Sequence, residues 1–84
     1  MTSKISIQAY HAIPDLDERQ ARVMACIARY PGVSRNDIAR IQKMDPKNVS
    51  SRIGELKNQG RVRVCGTKID RITGYKVMQY EVTE

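Results

Sequence analysis

A single histidine, His11, and two cysteines 39 positions apart, Cys26 and Cys65, are all the chain offers for nitrogen- or sulfur-ligated metal sites or for disulfide chemistry. That spacing holds no close pair of ligands and no disulfide framework. Both thiols are therefore read as small inert hydrophobes, and no metal and no cofactor are expected. One histidine, placed in the N-terminal segment, leaves no partner for an acid/base or Cys/His pair. Tyr75 and Tyr80 are not read as nucleophiles, and Tyr80 fits a core pattern. Gly60 and Gly66 followed by Thr67-Lys68 have the wrong length and order for a phosphate loop. Long apolar runs are missing too. None approaches the roughly 20 residues that cross a bilayer, and the N-terminus lacks the basic-then-apolar plan of a secretory signal. These absences predict a soluble cytoplasmic protein with no membrane partner. A chain of 84 residues has room for one small core and little stability to offset strained catalytic geometry, so no enzyme is expected.

Acidic residues are also scarce. Nine Asp and Glu face 15 Lys and Arg, a net charge of +6 at pH 7. Residues 34–76 hold eleven basic and four acidic groups (11 − 4 = +7), against four and three in residues 1–33 (4 − 3 = +1). Charge concentrated in one stretch reads as an electropositive face for a polyanion; the bland alternative is a solvated surface.

The pattern along the chain is helical first and extended later. Residues 2–10 alternate, with Ile5, Ile7 and Ala9 on one side, which reads as a strand or an arm: disordered, a flap, or completed by a partner subunit. Asp15 and Glu18 resemble a capping box after Pro14, so a first helix is predicted from near Leu16 to the stop at Pro31-Gly32. Leu16, Gln20, Val23, Met24, Ile27 and Tyr30 form its apolar stripe, Arg22, Ala25 and Arg29 point away, and Met24 and Tyr30 are read as core filler. Ser34 and Asp37 cap a short second helix with Ile38, Ala39 and Ile41 on its apolar side. Asp45-Pro46 opens a third, along which Val49, Ile53 and Leu56 recur at helical spacing until Asn58-Gln59-Gly60. Beyond Gly60 the period becomes two. Val62 and Val64, then Met78, Tyr80 and Val82, mark two strands joined through Gly66 to Gly74. Ile69 and Val77 break the alternation, as if covering the first helix or facing a partner.

Three helices followed by a basic hairpin resemble the winged helix-turn-helix family. The likeness rests on Gly32-Val33-Ser34-Arg35-Asn36-Asp37-Ile38-Ala39, on Lys47-Asn48-Val49-Ser50-Ser51-Arg52-Ile53-Gly54-Glu55-Leu56, on Gly60-Arg61-Val62-Arg63-Val64 and on Tyr80-Glu81-Val82-Thr83. It implies an α+β fold over 15–84, a winged helix-turn-helix with a two-stranded C-terminal wing, and leaves 1–14 as a separate arm or flexible segment. It also implies that helix 46–59 enters the major groove of double-stranded DNA, that the start of the second helix grips phosphate, and that hairpin 61–82 serves as the wing. The function expected is sequence-specific DNA binding by a small transcriptional regulator of bacterial or phage type. A homodimer on two half-sites, joined through the N-terminal segment, is a further expectation.

A helical wheel supports this independently of the likeness. Opposite Val49, Ile53 and Leu56 lie Lys47, Ser51, Gly54 and Asn58, with Asn48 and Glu55 beside them and Arg52 at the margin. Lys47 and Arg52 can donate to guanine, Asn48 or Asn58 can pair with adenine, and Ser51 can do either. Gly54 costs roughly 1 kcal/mol of helix propensity relative to Ala, consistent with another molecule's backbone lying close. Glu55 would repel phosphates unless paired. Ser34 and Arg35 are the expected phosphate contacts, Ser34 also being explicable as a plain cap. Lys68, Arg71 and Lys76 are the expected wing contacts, and Arg61 and Arg63 could equally be solvated. The competing reading, from another class, is a winged-helix module that binds a protein partner within a larger nucleoprotein assembly. A left-handed-duplex or RNA reader is disfavoured, because the Asn-Arg pair and tyrosine of that branch are replaced here by Ser50, Ser51 and Gly54.

Overall fold

The computed structural model describes residues 16–83; the arm at 1–14 and the capping role expected of Asp15 lie outside them. Helix α1 (Glu18–Arg29) starts two residues later than the sequence suggests. Its cap is Asp17, whose carboxylate accepts from the Gln20 N–H at 2.8 Å, while Gln20 Oε1 accepts from the Asp17 N–H at 3.1 Å. Glutamine thus takes the part expected of Glu18. Ala21, Val23, Met24, Ala25, Cys26 and Ile27 are all buried, because helices on one side and the sheet on the other enclose most of α1. Two expectations change as a result. Ala25 points inward, and Tyr30 is 46% exposed, capping the helix with the Arg29 guanidinium 5.5 Å from its ring centre.

The chain turns at Pro31-Gly32, where Gly32 takes a φ of 92°, a region that suits glycine. Strand β1 (Val33–Ser34) follows and leads directly into α2 (Arg35–Gln42). Ser34 does double duty: it pairs with Gln79 in the sheet, and its Oγ accepts from the Asp37 N–H at 3.2 Å while Asp37 Oδ2 accepts from the Ser34 N–H at 3.1 Å. The predicted capping box is therefore complete. Ile38 and Ala39 enter the core, but Ile41 is half exposed. Lys43, in the left-handed region at φ 56°, ends α2. After Met44 comes Asp45, whose side chain accepts from the Lys47 N–H at 2.8 Å and starts α3 (Pro46–Asn58) with proline in its first turn.

Strands β2 (Val62–Ile69) and β3 (Lys76–Val82) form the hairpin, and the sheet order is β1-β3-β2, antiparallel throughout. The architecture is the expected three-helix winged fold with one strand more than the sequence discloses. Leu16, Val23, Met24, Cys26, Ile27, Val33, Ile38, Ala39, Val49, Ile53, Leu56 and Val62 make the core, with Met44, Tyr80 and Val82 against it. Register passes from Val64↔Tyr80 to Gly66↔Gln79, so Cys65 is an extra residue, a bulge that reverses the facing of everything after it. This accounts for the broken alternation: Ile69, opposite Lys76, returns to the face of Val62 and Val64 but lies exposed beyond the helices. Cys65 itself lies at the surface.

Candidate nucleic-acid interface

Helix α3 buries Val49, Ile53 and Leu56 and turns the opposite side of its circumference outward. Lys47, Ser51 and Asn58 are exposed on that side. Nothing lies within 4 Å of where a Cβ on Gly54 would stand, so no neighbour inside the fold requires glycine there. One flank of the helix is tied to α1. Gln20 Nε2 donates to Glu55 Oε1 at 2.7 Å, and Arg52 Nη2 donates to Glu55 Oε2 at 2.8 Å. Arg52 also reaches Asn48 Oδ1 at 3.5 Å. Its side chain is 18% exposed, and its Nε is buried without a partner among the described residues. Arg52 and Asn48 thus border the outer face from a bonded flank, and Glu55 is neutralised within the molecule.

The opposite flank carries Ser50, and here three elements converge. Arg35 from the first turn of α2, Lys76 from the start of β3, Ser50, Met78 and Tyr80 line a cleft of about 240 Å³. Arg35 and Ser50 also border the neighbouring depression lined by Pro46, Lys47 and Ser51. Lys47, Arg35 and Lys76 therefore lie along one continuous seam whose lining holds no carboxylate. Burial pushes the Tyr80 phenol up from its ordinary value, while the Arg35 charge pulls the other way. Cations gathered without an acid repel one another, and a bound anion relieves that cost.

The hairpin's remaining cations are placed differently. Lys68 leaves the sheet toward the α2 side and pairs with Asp37. Asp37 is lowered overall: its partial burial works upward but is outweighed by Lys68 and the Ser34 N–H. Arg40 Nη2 grips both oxygens of Asp70, at 3.1 and 2.8 Å. Asp70 is only 1% exposed and also accepts from the Thr73 N–H at 2.9 Å. The Arg40 guanidinium, then that N–H, hold its carboxyl well below the usual range. Arg71 is exposed at the start of the turn and, with Lys68, Arg40, Asp37, Tyr30 and Ile41, borders a second cleft of about 410 Å³. Ser34 is fully buried, which leaves its hydroxyl the cap and no surface at which to meet phosphate.

The structure thus brings Arg35, Lys47, Ser51 and Lys76 together, sets Asn58 at the far end of the same helix, and puts Lys68 and Arg71 on another side. Ser50 was missed because the wheel places it between core and outer face; only the packing of α2 and β3 beside it reveals its surroundings. Asp37, Arg40 and Asp70 were missed as wing supports because their partners lie about thirty positions away, beyond any local pattern.

Several comparisons bear on this arrangement. The DNA-bound FabT of Streptococcus pneumoniae is similar with a TM-score of 0.65 and 15% identity, over 83% of this chain and 46% of that one. ScpB from Mycobacterium tuberculosis is similar at 0.66 and 19%, over 92% and 44%, and the transcriptional regulator SlyA at 0.63 and 19%, over 95% and 53%. The chain spans about half the length of these structures, and at such identities the likeness concerns the fold. No curated protein sequence matches the chain. A family model described as winged helix-turn-helix DNA-binding matches residues 16–63, from the first core residue through α3 into β2, and by that match the chain belongs to the winged helix-turn-helix DNA-binding family.

Proposed function

We propose that this domain reads double-stranded DNA by sequence, as a small transcriptional regulator, with α3 in the major groove and the β2–β3 hairpin as the wing. The observation that carries the reading is the seam of Lys47, Arg35 and Lys76, three cations from three elements bordering clefts without a carboxylate. Arg35 and Lys76 are the phosphate contacts at the edge of the groove. Lys47, Ser51 and Asn58 are offered directly to base edges, with Gly54 allowing close approach; Asn48 and Arg52 join them only by releasing bonds to Glu55 and to each other. Arg71 contributes to the field around the wing, whereas Lys68 is answered by Asp37. Selection from a random duplex pool tests the proposal. Recovery of a sharp motif, with affinity falling steeply as salt rises, supports it; a flat pool removes specific reading.

A second reading has its own observation. The cleft on the α2 side joins half-exposed Tyr30 and Ile41 to Lys68 and Arg71, a mixture suited to a protein partner. Tight binding to a protein that ignores salt, with no duplex binding in low salt, would favour it.

A further inference from the structure

The tip of the hairpin is built in a way that phosphate binding does not use. Ile72 is 68% exposed and Tyr75 75% exposed, with Ile69 exposed beside them. Large apolar side chains at a loop tip are ordinarily free to fold back, yet this tip is held. The Asp70 N–H donates to Tyr75 O at 2.8 Å, the Gly74 N–H donates to Asp70 O at 2.7 Å, and the buried Asp70 carboxylate binds the Thr73 N–H and Arg40. Gly74 supplies the positive φ, 78°, that the turn needs. A buried, ion-paired carboxylate thus fixes a loop whose most prominent side chains are aliphatic and aromatic.

The surroundings of the tip select its partner. Arg71 precedes Ile72 and Lys76 follows Tyr75, so the two apolar side chains are bracketed by cations. The acid of the turn, Asp70, is enclosed and neutralised by Arg40. Lys76 also belongs to the acid-free seam beside α3 and Arg71 to the cleft on the α2 side, so the tip stands where the two surfaces meet, at the edge of the one assigned to DNA. Apolar wedges bracketed by basic residues are the chemistry by which proteins enter the minor groove, part base steps and bend the duplex.

We propose that Ile72 and Tyr75 form a rigid apolar wedge that enters the minor groove next to the site of α3 and bends the DNA. The proposal rests on the DNA-binding reading above. Because the wedge is exposed, replacing it changes fold stability little, which keeps the test clean. A duplex of about 30 base pairs containing flexible TA and CA steps, carrying a fluorescent dye at each end, reports bending by energy transfer; a filter titration on the same duplex reports affinity.

The wild-type chain is expected to shorten the end-to-end distance, consistent with a bend in the roughly 20 to 90° range known for wedge insertion. The double variant I72S/Y75S is expected to lose the bend and to bind about ten-fold or more weakly, the scale of losing a buried apolar contact. Its salt slope should match the wild type, since no cation is removed. Duplex binding by the wild type without bending overturns the wedge, as does a double variant that bends DNA as the wild type does. Absence of any duplex binding by the folded wild type, at low salt, would instead defeat the DNA-binding reading on which the wedge stands.

Discussion

Gly54 is the residue at which stability and function pull apart. It lies inside α3, where glycine costs about 1 kcal/mol relative to Ala, and open space surrounds its missing Cβ. Gly54→Ala is therefore expected to stabilise the free domain by about that amount, some 4–8 °C in melting temperature for a domain of this size, while weakening duplex binding. Thermal denaturation and a binding titration on one sample check both halves; a stabilised variant with unchanged affinity would show that no DNA backbone approaches this point. This much was legible in the wheel of α3, because a single helix fixes its own outer face. Charge was legible only as a sum. Arg35 and Lys68 look alike in the sequence, but one stands in the acid-free seam and the other is paired with Asp37. Arg35→Ala should lower the slope of log affinity against log salt by about one, whereas Lys68→Ala should leave it nearly unchanged. Equal losses of slope would mean that the Lys68 pair opens on DNA.

The hairpin owes its bearing to side chains that no strand pattern discloses. Helices were readable because their caps are local: Asp45-Pro46 and Ser34-Asp37 act within four residues. Strand β1 was not, since two residues form a strand only by meeting β3 more than forty positions later, and the Cys65 bulge concealed the true facing of Ile69. Nor did anything mark Asp70 as more than a turn residue. Its carboxyl is held below the value of an unfolded aspartate, roughly 3.9, chiefly by Arg40. A group of that kind stabilises the fold at every pH above the unfolded value, and the contribution drains away as pH falls through the folded one. Asp70→Asn should accordingly melt at a lower temperature than the wild type at pH 7, with the gap narrowing progressively below about pH 4. Melting curves across that range test it; a constant gap would mean that the loss is steric and that the Arg40 ion pair contributes little.

At the scale of the molecule, the cations around α2 and those beside α3 fall on two sides of unequal character. On the α2 side the cations Arg40 and Lys68 are answered by Asp37 and Asp70, and apolar Tyr30 and Ile41 stand among them. On the α3 side Lys47, Arg35 and Lys76 share a seam with no acid in its lining. Composition alone could not separate these, because the same +7 stretch of sequence supplies both. The sorting makes the two sides separately testable. Removing Arg35 and Lys76 together should weaken binding to every duplex, and the lost charge should reduce the salt slope by about two, close to 0.9 for each phosphate contact. Substituting Tyr30 and Ile41 by Ser touches only the other side and should leave duplex affinity and its salt slope where they were. Should the second pair of changes impair DNA binding as much as the first, the duplex would have to engage the α2 side, and the seam beside α3 would lose its claim to be the principal contact.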